Sequence, residues 1–378
     1  MEEKGWRSIL LGEFVTLQRG FDITKKEQEV GPYKVYSSSG PNSTHSKYQV
    51  KGPGVIIGRK GTLGTAFYSD EDFWPHDTTL WVKDFHGNDP KFAYHFLKSM
   101  RLEQYDCGAS NPTLNRNHIH LIPVSVPLVP IQQKIAVILS AYDDLIENNL
   151  RRIKILEEMA RSLYREWFVK FRFPGHQKVK MVNLPLGKIP EGWEVEELRN
   201  IFDIKYGKTL PKTKISDKGL YPVYGAGDVI GYYDKVICQE KCALVTSRGN
   251  GSGTVWRTRE AAFVTNNSLI ILPKIDFKHW DYSFIELFLK HSNVMEAKTG
   301  SAQPQVTIEN LNYVKGIVPG QKILEGFTAF SIPIYEHVDL IFKKNRILRQ
   351  TRDLLLPKLI SGELDVSELD IKTTDESL

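Results

Sequence analysis

Two short stretches of the chain combine residue types that hold phosphate and read base edges. Arg59-Lys60-Gly61-Thr62-Leu63-Gly64-Thr65 and Ser247-Arg248-Gly249-Asn250-Gly251-Ser252-Gly253-Thr254 each join basic residues to glycines and hydroxyls. Glycine lets backbone N–H groups come close to a phosphate, and arginine pairs with phosphate or with a guanine edge. Other polar sets fit base contacts: Ser37-Ser38-Ser39, Asn42, His76-Asp77, Asn266-Asn267, and Gln303 with Gln305. Asn and Gln can engage adenine through two hydrogen bonds. The candidate DNA contacts are therefore Arg59, Lys60, Thr62, Thr65, His76, Arg248, Asn250, Ser252, Thr254, Asn266, Asn267, Gln303 and Gln305. A plain glycine-rich hairpin with solvated side chains has the same composition, and that alternative stands for any one of them.

Motifs that resemble catalytic ones are incomplete. Tyr206-Gly207-Lys208-Thr209 looks like the end of a phosphate-binding loop, but Phe202 stands where its first glycine belongs. Asn111-Pro112-Thr113-Leu114 lacks the second proline and the aromatic of an amino-methyltransferase motif. Gly225-Ala226-Gly227 has no strand–helix unit of a nucleotide site after it. The ten histidines include no pair at ligand spacing on a helix, and Asp70-Glu71-Asp72 reads as a solvated turn. Cys238 and Cys242 would need two more ligands to hold zinc, and three cysteines are too few for a disulfide framework. No catalytic residue, metal or cofactor is expected.

The elements that must position the polar loops occur twice. Gly5-Trp6 returns as Gly192-Trp193, Leu11 as Leu198, and Gly20 as Gly207, all at an offset of 187. Tyr33-Lys34-Val35-Tyr36 meets Tyr221-Pro222-Val223-Tyr224 at 188. Arg59, Gly64 and Thr65 meet Arg248, Gly253 and Thr254 at 189, as His76-Asp77-Thr78-Thr79-Leu80 meets Thr265-Asn266-Asn267-Ser268-Leu269. Gly108 and Pro112 meet Gly300 and Pro304 at 192. An offset that drifts by single residues is the mark of a duplication with loop insertions.

Each copy ends in a helical pattern with apolar positions spaced alternately by 4 and 3, the heptad signature. The first seam runs through Ile135, Leu139, Tyr142, Ile146, Asn149, Ile153, Leu156, Ala160, Leu163 and Trp167. The second runs through Ile334, Val338, Ile341, Asn345, Leu348, Arg352, Leu355 and Leu359. Asn149 and Asn345 either fix register from inside the seam or lie at its edge in water. Phe173-Pro174-Gly175 should stop the first helix, and Pro357 should kink the second.

Short apolar runs such as Val55-Ile56-Ile57 and Ala243-Leu244-Val245 read as buried strands, and 92–97 and 282–289 as short buried helices. The expected fold class is α+β: two duplicated domains of strands, loops and short helices, separated by two long helices in an antiparallel coiled coil. The expected division is a first domain over 1–130, a spacer helix over 131–172, a linker over 173–187, a second domain over 188–330, a second spacer helix over 331–361, and a C-terminal tail over 362–378. Of the 378 residues, 41% are hydrophobic and 25% charged, with a net charge of +5. That permits nucleic-acid binding without demanding it. With no signal pattern and no membrane-length apolar run, a cytoplasmic protein is expected.

The order of features resembles the specificity (S) subunit of type I restriction–modification systems, over nearly the whole chain. The resemblance rests on Gly5 to Glu13 and its echo at Gly192 to Leu198, on Tyr221-Pro222-Val223-Tyr224-Gly225, on Pro130-Ile131-Gln132-Gln133-Lys134-Ile135, and on Lys358-Leu359-Ile360-Ser361-Gly362-Glu363-Leu364. It implies two target-recognition domains that each read half of a split site in double-stranded DNA. It implies two modification subunits docked on the assembly, with restriction subunits joining through the complex. One departure is that Ser331-Ile332-Pro333 stands where the second helix should open with a counterpart of Pro-Ile-Gln-Gln-Lys, so one docking site is expected to differ. A helix over 135–167 spans roughly 50 Å at about 1.5 Å per residue, longer than the ~34 Å turn of B-DNA. The two copies differ at most polar loop positions, which predicts unlike half-sites. A nuclease or methyltransferase acting alone, and a protein-binding scaffold, are the alternative functions.

Overall fold

The computed structural model describes residues 5–108, 111–249, 251–300 and 303–373. The chain forms two compact units, Met1–Asn149 with Lys344–Leu378, and Leu150–Lys343. In the first unit, strands Thr16–Arg19, Thr79–Asp84, Gly54–Gly58 and Ala66–Ser69 make a four-stranded antiparallel sheet in that spatial order. Strands Gly40–His45, Tyr33–Ser37 and Phe73–Pro75 make a three-stranded sheet, and Trp6–Leu10 pairs with Pro123–Pro127. The second unit repeats this arrangement. Its four strands are Phe202–Tyr206, Ser268–Pro273, Ala243–Thr246 and Val255–Arg257. Its three are Val229–Tyr233, Tyr221–Tyr224 and Phe263–Val264, and Glu194–Glu197 pairs with Lys315–Val318. Order and strand direction agree throughout, so the duplication extends to topology.

Helices Pro90–Ser99 and Tyr282–His291 close one face of each four-stranded sheet. Each begins at an aspartate, Asp89 or Asp281, whose carboxylate accepts a first-turn N–H. Phe92 and Phe96 of the first, and Phe284 and Phe288 of the second, are buried against strand residues such as Val55 and Ile57, or Ala243 and Val245.

The first long helix runs Val129–Tyr164 and widens into a single π-turn at Arg165–Val169. Its opening motif is structural in the first unit. Gln132 is fully buried, donating to Asn88 Oδ1 and Pro127 O, both at 2.8 Å, and accepting from Asp89 N at 3.0 Å. Ile135 and Leu139 pack with Leu359, Ile360 and Val366. Lys134 Nζ donates to the carbonyls of Ser367 and Leu369 at 2.6 and 2.9 Å. The C-terminal segment is therefore held to the first unit at Val366, Ser367 and Leu369.

The second long helix runs Gln321–Ile360, starting ten residues before the expected position 331. It follows Pro319-Gly320, directly after the strand ending at Val318. Ile323 N and Leu324 N both donate to Gly320 O, as Ile131 N and Gln132 N both donate to Leu128 O. Lys322-Ile323-Leu324-Glu325-Gly326-Phe327 thus stands in the place of Pro130-Ile131-Gln132-Gln133-Lys134-Ile135, with buried Leu324 where Gln132 is, so the motif itself is not repeated and only its expected place at 331–333 is corrected. Pro333 and Pro357 both lie inside the helix and both are exposed, where water can reach the carbonyl that each proline leaves without an N–H. The stretch 173–187 likewise holds structure: Phe173 is buried and stacks on Trp193, and Met181–Leu184 pairs with Gly187–Pro190.

The heptad positions distribute between the units. In the first, Ile146 is buried and Tyr142, Leu348 and Leu355 are half-buried. Asn345 is fully buried and accepts from Asn149 Nδ2 at 2.8 Å, so this amide pair belongs to the interior. In the second, Ile153 packs with Val338, Ile341 and Leu156. Leu163 and Ile334 border the main core, where Tyr164, Trp167 and Phe168 meet Phe284 and Phe327.

One contact of the second unit fixes its sheet to the long helix. Arg257, only 5% exposed, pairs with Asp339 at 2.7 Å and Glu286 at 3.1 Å and lies over the Tyr335 ring at 4.7 Å. Lys241 and Arg259 join Asp339 at 2.7 and 3.4 Å. Asp339→Ala leaves Lys241 without its carboxylate and buried Arg257 with Glu286 alone. Removing one partner of a buried pair costs about 3–5 kcal/mol, so urea denaturation should show a loss of that size in the second unit. A change below about 1 kcal/mol would mean that the cluster holds nothing together.

His95 in the first unit is 1% exposed, and burial pushes its pKa down from 6.5 to about 4, only partly opposed by Asp143. The folded chain keeps this ring neutral while the unfolded chain protonates near 6.5. Its contribution is thus fully present above that pH and is lost as pH falls from 6.5 towards 4. Its counterpart in the second unit, counted from the aspartate caps, is Leu287. His95→Leu should flatten the acid-side loss of stability between those pH values, read by denaturation at each pH. A slope equal to that of the wild-type chain would refute the assignment.

Candidate nucleic-acid interface

In each unit the strand ends bring four separate segments together. In the first they are the loop 59–65, the hairpin tip 37–40, the turn 76–78 and the stretch 111–114. Arg59 N donates to Thr78 O at 2.9 Å, and Leu114 N donates back to Arg59 O at 2.9 Å. Gly61 N meets Pro112 O at 3.4 Å, and Ser38 N meets Thr78 Oγ1 at 3.3 Å. In the second unit Ser247 N donates to Asn267 O and Val306 N to Ser247 O, both at 2.8 Å, while Gly249 N meets Pro304 O at 3.2 Å. Ser268 Oγ donates to Gly225 O at 2.8 Å, tying in the second hairpin tip.

These bonds correct the alignment of the two loops. They equate Arg59 with Ser247 and Lys60 with Arg248, not Arg59 with Arg248. Lys60 bridges to Thr113, and Arg248 bridges to Gln305. The extra residue of the second loop falls after Gly249, and so the first half of the loop aligns one position earlier. Each loop thus has one exposed basic residue followed by a left-handed glycine, Gly61 at φ 76° or Gly249 at φ 88°. A second left-handed glycine, Gly64 or Gly253, precedes an exposed threonine, Thr65 or Thr254. Left-handed backbone suits glycine because a Cβ would meet the following carbonyl.

A fifth segment adjoins each cluster through a close glycine approach. A Cβ on Gly20 would stand 2.1 Å from His76 O, and one on Gly207 would stand 2.2 Å from Thr265 O. This accounts for Tyr206-Gly207-Lys208 without a phosphate-binding loop. It also adds Arg19 and Lys208, both exposed, which residue-type reasoning had not selected. The signal for them was present in the Gly20–Gly207 match.

The candidate residues do not share one environment. Thr62 and Lys60 are exposed, and Lys60 Nζ is 3.9 Å from Asp77. Arg59 is half-buried and donates to Asp77 O at 3.0 Å. Arg19 pairs with Asp77 at 3.1 Å and with Asp22 at 3.2 Å, so Asp77 is shared between Arg19 and Lys60. His76 is half-buried, its ring nitrogens near Thr78 Oγ1 at 3.1 Å and Ile23 O at 3.2 Å. Ser37, Ser38, Asn42, His76 and Thr78 line one open concavity. In the second unit Arg248, Asn267, Gln303 and Gln305 are exposed and Asn266 is half-buried. Ser252 is corrected: it is 1% exposed and donates to Ser247 O at 3.0 Å, so it shapes the loop from within. Asn250 lies outside the described residues.

Among the described residues, no group of three or more His, Cys, Asp or Glu side chains could hold a metal. Cys238 and Cys242 are buried with their thiols hydrogen-bonded to each other, which raises the Cys242 thiol above its ordinary value and lowers that of Cys238. No helix among the described residues is long and apolar enough to cross a membrane.

Comparison with known proteins agrees with a duplicated recognition chain. The specificity subunit of the type I restriction enzyme MjaIX from Methanocaldococcus jannaschii is 28% identical over 308 residues, covering 74% of this chain and 70% of that protein. A putative type I specificity subunit of Mycoplasma pneumoniae is 24% identical over 347 residues, covering 87% and 89%. The crystal structure of the type I S subunit from M. genitalium shares the fold with a TM-score of 0.63 at 20% identity, covering 94% of this chain and 96% of that one. The model of the type I restriction modification DNA specificity domain matches twice, at residues 3–158 and 190–336. With two such copies spanning most of its length, the chain belongs to the type I restriction–modification DNA specificity family, whose members supply sequence recognition and not catalysis.

Proposed function

We propose that this specificity subunit binds a bipartite, asymmetric site in double-stranded DNA, one half read by each loop cluster. The observation that carries the reading is the repeated loop skeleton with unlike side chains. Both loops hold an exposed cation, two left-handed glycines and an exposed threonine at equivalent places. Around that constant frame, His76 answers to Thr265, Asp77 to Asn266, and Thr113 to Gln305. A constant backbone frame suits phosphate contacts, and variable side chains suit base edges. On this reading 1–130 and 188–330 are the recognition domains. The two long helices form an antiparallel coiled coil that spaces them and docks two modification subunits, through which restriction subunits join. The complex works in the cytoplasm, where its DNA is.

Methylome sequencing of cells with and without the chain tests this directly. The expected result is adenine methylation at a two-part motif with unlike halves, present only with the chain. His76→Ala should degrade one half of that motif and Gln305→Ala the other, each by about 1–3 kcal/mol of discrimination at the affected position. Identical halves, or loss of both halves from either variant, would overturn the division of labour. Methylation or cleavage by the purified chain alone would favour the reading as a free-standing enzyme.

A further inference from the structure

The two units solve the same packing problem with different charges, and the first leaves its solution open. The strand pairings equate Val55 with Ala243 and Tyr68 with Arg257. Counting along those strands equates Pro53 with Lys241 and Asp70 with Arg259. Counting from the aspartate caps equates Tyr94 with Glu286. Every cation that gathers on Asp339 in the second unit is therefore replaced in the first. Lys241 becomes a proline, Arg257 a tyrosine, and Arg259 an aspartate.

The ring contact between Tyr68 and Tyr94, with centroids 5.9 Å apart, stands where Arg257 meets Glu286. The long helix, however, keeps its carboxylates. Asp143, Asp144 and Glu147 line a groove of the first unit together with Asp70 from the strand edge, Lys91 and the two tyrosines. Acid faces acid across this groove, where the second unit has guanidinium facing acid. Asp143 is partly satisfied by Arg352. His95 also lines the groove, 1% exposed, with Nδ1 lacking a hydrogen-bond partner and Nε2 3.9 Å from Asp143. A buried polar atom without a partner is costly unless something completes it.

We propose that this groove is a docking site for an arginine side chain presented by a partner polypeptide, which takes the place that the chain's own Arg257 and Arg259 occupy in the second unit. The planar guanidinium matches the donors that carboxylates accept in pairs, and its face stacks on tyrosine, as Arg257 does over Tyr335 and Tyr282. Lysine would satisfy the charge but not the stacked, forked geometry. This inference concerns the first unit alone and does not depend on what the loops bind.

The test uses full-length chain with isotope-labelled histidine and the tripeptide acetyl-Gly-Arg-Gly-amide, with its neutral citrulline counterpart as control. The His95 ring resonances, assigned through His95→Leu, should shift saturably with the arginine peptide and not with citrulline. Asp70→Asn with Asp144→Asn should weaken binding by roughly fivefold, the scale of one partly exposed charge pair. Tyr68→Arg, which supplies the second unit's arginine in place, should abolish the shift while the chain stays folded by circular dichroism. No shift, an equal shift with citrulline, or an undiminished shift in Tyr68→Arg would overturn the proposal.

Discussion

The loop clusters depend on a main-chain approach that only glycine permits. Gly20 lies against the carbonyl of His76, and Gly207 lies against that of Thr265, closer than any Cβ could come. That contact lets the end of one strand cross the turn that follows another. Gly20 N can then reach Thr79 O at 3.1 Å, and Gly207 N can reach Ser268 O at 3.0 Å. Once the crossing is fixed, the turn at 76–78 or 265–267 accepts from the glycine loop, and the glycine loop is bonded in turn to the segment 111–114 or 303–306. Five stretches distant in sequence are thereby held mainly by backbone bonds, to which the hydroxyls of Thr78, Ser247, Ser252 and Ser268 add a few more. Side chains elsewhere on them are free to vary, because they do not carry the frame.

The same division between a fixed frame and free chemistry recurs where each sheet meets its helix. Arg257 with Glu286 in one copy and Tyr68 with Tyr94 in the other occupy equivalent places. A buried ion pair needs further partners to offset its desolvation, and Asp339, Lys241 and Tyr335 supply them. A ring pair needs none, so the first copy makes the equivalent contact without cations. What it kept is an acid-lined groove on its own long helix.

Much of this was legible beforehand because the relevant signals are local. The heptad spacing, the drifting offset and the aspartates ahead of two apolar helices each act through neighbouring residues, and a single chain displays them. The start of the second long helix was misplaced for an equally local reason. Pro333 resembles a first-turn proline, while the true start, at Gln321 after Pro319-Gly320, does not repeat the opening residues of the first helix. Exposure of Pro333 on the outer side of the helix is a tertiary fact.

The sequence by itself determined that two related domains alternate with two long helices, that glycine–cation loops recur in both, and that no complete catalytic motif is spelled out. These follow from composition, period and order, which need no third dimension. Only the tertiary structure decided that Lys60 and not Arg59 answers to Arg248, that Ser252 supports its loop from inside, that Asn149 and Asn345 bond each other, and that the C-terminal segment closes onto the first unit. Each of these turns on which groups meet across tens to hundreds of residues. Such meetings are fixed by hydrogen-bond register and burial, to which a spacing pattern along one chain is blind.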